Sequence, residues 1–109
     1  MKSEKDRRHV QREMCSDFGQ IAWLDQRGRR ISCLGLIEDV SPDGLCLNLE
    51  LPGPASATVH LHTKGFEGEA RVCYCELGDS GYLIGLEFVN GCAWDRNKWR
   101  PRHLLSATG

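Results

Sequence analysis

The sequence predicts an all-β domain, a six-stranded antiparallel barrel, from three observations. Six short runs alternate apolar and polar residues, turn-forming residues separate them, and no segment between them carries a helical period. The first run is 19–25 (GQIAWLD), closed by Gln26-Arg27-Gly28; the second is 31–38 (ISCLGLIE), which leads into Ser41-Pro42-Asp43-Gly44. Alternation is cleanest in the third, 44–50 (GLCLNLE), with Leu45, Leu47 and Leu49 on one face and Cys46, Asn48 and Glu50 on the other. Pro52-Gly53-Pro54 ends it. The fourth, 57–63 (ATVHLHT), stops at Lys64-Gly65, and the fifth, 68–76 (GEARVCYCE), at Gly78-Asp79-Ser80-Gly81. The sixth, 82–89 (YLIGLEFV), sets Tyr82, Ile84, Leu86 and Phe88 against Leu83, Gly85 and Glu87. Closing so short a sheet into a barrel removes its edges. Residues 94–105 have room for a helical turn or two before Pro101 interrupts. With Trp94, Trp99, Leu104 and Leu105 the tail is too apolar to be free, and it is expected as a cap segment or short helix over one open end of the barrel. The expected organisation is one domain: residues 1–17 a mobile arginine-bearing arm, 18–90 the barrel and 91–109 the cap.

Composition narrows the function. A chain of 109 residues supports one domain, and 40% hydrophobic with 27% charged residues describes an ordinary globular chain. No apolar run approaches the roughly 20 residues of a membrane span, and the N-terminal residues are charged where a secretion signal is apolar. These features point to a cytoplasmic protein rather than a two-domain enzyme, a membrane protein or a secreted product. The net charge of −1 hides an asymmetry: eight Lys/Arg fall in 1–30 and four in 96–102, whereas 31–95 holds only Lys64 and Arg71 against ten acids. Chain ends often lie together, so the cations can form one positive face. Six cysteines without a C-x-x-C read as reduced thiols acting as small buried hydrophobes. His60-Leu61-His62 and Cys73-Tyr74-Cys75 each place two metal-ligand types on one strand face, so zinc ligands would converge if the strands paired in that register. Glu69 and Arg71 share the Cys73 face, which favours a plain solvent face, and no metal or cofactor is expected. No His, Cys or Ser is arranged with a neighbouring acid as a nucleophilic dyad, so no enzyme is expected either.

Two motifs remain. Arg8-His9-Val10-Gln11-Arg12 is an R-x-x-x-R pair preceded by Arg7; a chain with ten arginines contains about one such pair by chance. Asp39-Val40-Ser41-Pro42-Asp43-Gly44 is a D-x-S-x-x-G between the second and third runs. A turn alone accounts for Pro42, Asp43 and Gly44, with Asp39 able to make an Asx turn onto the Ser41 amide. It does not account for an upstream arginine pair at a suitable interval inside a six-strand pattern.

Together with the closing hairpin GEARVCYCELGDSGYLIGLEFV, these motifs over about residues 4–90 resemble the PilZ domain family, bacterial receptors for cyclic di-GMP. The resemblance implies a six-stranded antiparallel barrel of the split-barrel type whose arginine motif folds across the ligand. It assigns ligand binding to Arg7, Arg8, Arg12, Asp39, Ser41 and Gly44, and implies a downstream protein partner that no residue identifies. Pro101 departs from many members by leaving room for only a short helix. The chemistry suits these residue types. Arginine offers a planar fork to guanine O6 and N7 or to phosphate, and a carboxylate accepts from guanine N1–H and N2–H. Ser41 adds a short hydroxyl, and Gly44 allows close approach of backbone. The alternative is a PilZ-like protein-interaction scaffold that binds no nucleotide. An RNA-binding barrel ranks third, because eight aromatic residues, most at core-facing positions, leave no stacking platform.

Overall fold

In the computed structural model, which describes residues 12–54 and 57–105, six strands each pair with two neighbours and close into an antiparallel barrel. The strands are β1 Glu13–Leu24, β2 Arg30–Ser41, β3 Gly44–Leu49, β4 Thr58–His62, β5 Glu67–Gly78 and β6 Gly81–Phe88. Their order around the barrel is β1-β2-β3-β6-β5-β4, returning to β1. Among the described residues there is no helix, and so none long and apolar enough to cross a membrane.

Alternation places the core as expected. Leu45, Leu47 and Leu49 of β3 and Ile84, Leu86 and Phe88 of β6 point inward, joined by Ile21, Ile37, Val40, Val59, Leu61, Ala70 and Val72. Burying each large aliphatic side chain contributes about 1.5–3 kcal/mol. At the β1–β2 turn the Asp25 carboxylate accepts the Arg27 and Arg29 amides, each at 2.8 Å, and Gly28 takes φ 80°. Those bonds hold the Asp25 carboxyl below the ordinary range, the Arg29 amide most of all.

The ends of the chain depart from expectation. β1 begins at Glu13, so residues 13–17 are strand and not arm. Their polar residues and the bulge between Met14 and Asp17 hide the strand pattern, and their second partner comes from the far end of the chain. The Ser16 amide donates to the Arg102 carbonyl at 2.9 Å, and the Leu105 amide to the Met14 carbonyl at 2.7 Å. Among the described residues the cap forms without a helix. In its turn at 96–98 the amides of Lys98 and Trp99 reach the Asp95 carbonyl.

Trp94 and Trp99 are buried, with Trp94 Nε1 donating to the Trp99 carbonyl at 2.8 Å. Trp99 stacks on Phe66 at 5.4 Å, and Phe66 in turn meets Phe88 of β6. The Trp94 amide reaches the Pro42 carbonyl at 3.3 Å, and Arg96 pairs with the buried Glu13 at 3.4 Å. Leu104 packs partly against the core, but Leu105 is exposed, contrary to the expectation that it belongs to the apolar cap. The backbone bond to Met14, not its side chain, holds it in place. A protein ending before Trp94 is expected to lose a few kcal/mol of stability, as two large buried aromatics are removed. Its melting temperature should fall and exchange at the Ser16 amide should accelerate; an unchanged melting curve would exclude this role for the cap.

Candidate functional site on the outer barrel wall

Three β-bulges lie at one level of the barrel. β1 carries an extra residue between Met14 and Asp17, β2 places Glu38 and Asp39 opposite the single Cys46, and β5 places Cys73 and Tyr74 opposite the single Gly85. A bulge turns two successive side chains toward one face and tightens the local twist. Asp39, Cys46, Gly85 and Tyr74 are thereby successive cross-strand partners over β2, β3, β6 and β5, in one row on the outer wall. Met14 of β1 extends the row beside Asp39.

The D-x-S-x-x-G motif lies on this wall but is not a loop. Asp39 and Ser41 are both within β2, Gly44 opens β3 opposite Ser41, and only Pro42 and Asp43 form the turn. The expected Asx turn at Asp39 is absent among the described residues; the comparable turn belongs to Asp25, at the other end of the barrel. Asp39 is instead bonded to Arg12, whose Nη1 lies 3.2 Å from Oδ1. The buried Ser41 hydroxyl donates to the Gly44 carbonyl at 3.3 Å, closing the hairpin. A Cβ on Gly44 would collide with the Leu86 carbonyl of β6, so this glycine serves close strand packing rather than an open wall. Arg12, Asp39, Ser41 and Gly44 are thus brought together. Arg7 and Arg8 lie outside the described residues.

Cys46, Tyr74 and Gly85 join the site without having been singled out in the sequence. The Tyr74 ring lies over Gly85, where any Cβ would strike it, and its hydroxyl is 3.8 Å from Cys46 Sγ. Cys46 therefore ends up buried although it faces outward. The available signal was Gly85, an isolated glycine inside a strand pattern, which marks close approach of another group.

Burial governs the electrostatics of the row. It raises the Asp39 carboxyl above the ordinary range; the Arg12 guanidinium opposes that rise and the neighbouring Glu38 adds to it. Burial pushes the Cys46 thiol up to about 11 and the Tyr74 phenol to about 12, so both are neutral at physiological pH.

The conditional zinc arrangement fails on register. β4 and β5 do pair, but His60 faces Glu69 and His62 faces Glu67, and Cys73 lies beyond the last β4 partner. The bulge also parts the two cysteines, leaving Cys73 exposed and Cys75 packed partly against the core. His60 Nε2 instead meets Glu67 Oε2 at 2.8 Å, and among the described residues no group of three or more His, Cys, Asp or Glu is placed to hold a metal ion. All six cysteines are free thiols. No family model, curated protein or solved structure matches the chain.

Two outcomes are expected. In the native protein, alkylation at mildly alkaline pH followed by peptide mapping should label Cys73 readily and spare Cys46. Tyr74→Phe should keep that protection and Tyr74→Ala should abolish it; equal labelling of Cys46 in all three would refute the ring's shielding role. The second concerns Asp39. Its carboxyl has a higher pKa folded than unfolded, so folding favours the protonated form and the wild type loses stability as pH rises through that range. Asp39→Asn should therefore melt no lower than wild type at neutral pH, with any advantage closing in acid. A large loss of stability at neutral pH would contradict this.

Proposed function

We propose that this chain is a PilZ-like receptor domain that binds cyclic di-GMP on the outer wall around Asp39 and acts in bacterial cytoplasmic signalling through a downstream protein. In this reading it binds and does not catalyse. One observation carries the proposal: Arg12 and Asp39, the ends of two motifs 27 positions apart, meet at 3.2 Å on the wall that also holds Ser41 and Gly44. The six-strand barrel agrees with the fold that the resemblance implies.

The pair has the chemistry of a guanine site. Asp39 accepts from guanine N1–H and N2–H, while Arg12 donates to O6 and N7 or to a phosphate. Arg12 keeps 61% of its side chain exposed, so its bond to Asp39 is worth only about 0–1 kcal/mol and yields readily to a ligand. The Asp39 side chain is only 17% exposed, so the carboxylate is already desolvated and held by the strand, and little reorganisation accompanies its use. Tyr74 adds a partly exposed ring on the same row, where a base can stack. Arg7 and Arg8 are the further cations this reading assigns to the phosphates.

The scaffold reading also has an observation in its favour, since hairpin closure explains Ser41 and strand packing explains Gly44 without a ligand. Calorimetric titration with cyclic di-GMP decides between them. A Kd of roughly micromolar order, near −8 kcal/mol, is expected for the wild type. Arg8→Ala, Arg12→Ala and Asp39→Ala should each weaken binding about tenfold or more, Asp39→Asn less than Asp39→Ala, while the free domains stay folded. No heat up to millimolar ligand would overturn the receptor reading in favour of the scaffold; wild-type affinity in both arginine variants would overturn the site.

A further inference from the structure

Phe18 projects from β1 on the outer wall with 56% of its surface exposed, and different surfaces flank it on its two sides. On one side is a groove of about 660 Å³ with an apolar floor of Leu34, Leu36 and Leu51. Leu34 is 60% exposed and Leu51 49%, and Leu36 is the cross-strand partner of Phe18. Glu38 and Glu50 give this groove negative charge. On the other side is a groove of about 470 Å³ lined by Lys64, Arg100 and Arg102, beside the edge of Trp99. None of these three cations forms an ion pair with a described carboxylate. Asp17, in the same groove, is already engaged by the backbone amides of Phe18 and Arg102.

We propose that this face is a self-association surface and that its occupant is a second copy of this chain, related by a two-fold axis beside Phe18. Rotation about an axis that lies in the interface, perpendicular to the line joining the two grooves, exchanges the flanks, so the acidic groove of each copy meets the cationic groove of the other. The two Phe18 rings then pack at the centre, and the Leu34, Leu36 and Leu51 floor is covered twice. Charge complementarity selects this occupant. A polyanion such as nucleic acid satisfies the cationic groove but is repelled by Glu38 and Glu50 across the ring, and a basic peptide meets the opposite conflict. A partner must carry both signs around an apolar centre, and this face of the chain does so. The net charge of −1 sets up no general repulsion between copies. The proposal does not depend on the cyclic di-GMP reading.

Sedimentation velocity of the full chain over a range of concentrations tests it. The wild type should show a concentration-dependent dimer that weakens with added salt, and Phe18→Ser should be a monomer. Glu50→Lys alone and Arg100→Glu alone should each dimerise about tenfold more weakly or worse, because each homodimer sets like charges together twice. An equimolar mixture of those two variants should recover the dimer. In the mixed pair the two substituted positions face each other with opposite, exchanged signs, and the unsubstituted Arg100 of one copy faces the unsubstituted Glu50 of the other. Recovery in the mixture also shows that both variants are folded, as would unchanged melting curves. A wild type that stays monomeric at the highest concentration, or a mixture that associates no better than its components, would overturn the proposal.

Discussion

Six strands can share one core only if the sheet coils enough to meet itself, and bulges at a single level of this barrel add to that coiling. There β1, β2 and β5 each carry an additional residue. Extra residues increase twist and break the strict alternation of inward and outward side chains. The same geometry that closes the wall therefore turns Asp39 and Tyr74 outward into one row, with Cys46 and Gly85 between them. The bulges thus serve both the closure of the wall and the placement of the row.

That row combines opposing demands. A desolvated carboxylate is costly to a fold, and Asp39 keeps one at a position where β2 needs only a residue that pairs with Cys46. Arg12 relieves the cost weakly, through a largely exposed side chain. Tyr74 and Gly85 solve a simpler problem, because the ring fills the space that the missing Cβ leaves and keeps a thiol out of water. A costly buried charge and a well-filled glycine gap thus lie side by side in one row.

Much of this was legible in the sequence, and the rest was hidden for identifiable reasons. The faces of β3 and β6 followed from period-two patterning, since Leu45, Leu47, Leu49, Ile84 and Leu86 are all buried. Trp94 and Trp99 announced a docked tail by being too apolar to leave in water. The start of β1 was hidden because its second partner is 102–105, a contact across nearly the whole chain that no local pattern encodes. Bulges were equally hidden: Glu38-Asp39 and Cys73-Tyr74 look like ordinary alternation until the opposing strand is counted. Asp39, Ser41 and Gly44 lie around one hairpin, but Pro42 and Asp43 suggested a loop where the chain makes a two-residue turn.

The short pairing of Met14 with Leu105 has a practical consequence for handling the protein. The described chain enters and leaves the barrel side by side, next to Arg12 and Asp39. A reporter fused close to Arg12 or close to Leu105 would start beside that wall. The β1–β2 turn, with exposed Gly28 at the opposite end of the barrel, is the better place to cut. A circular permutant that joins the old ends by a flexible linker and opens between Arg27 and Arg29 would carry its reporters away from the Asp39 row while keeping every strand intact.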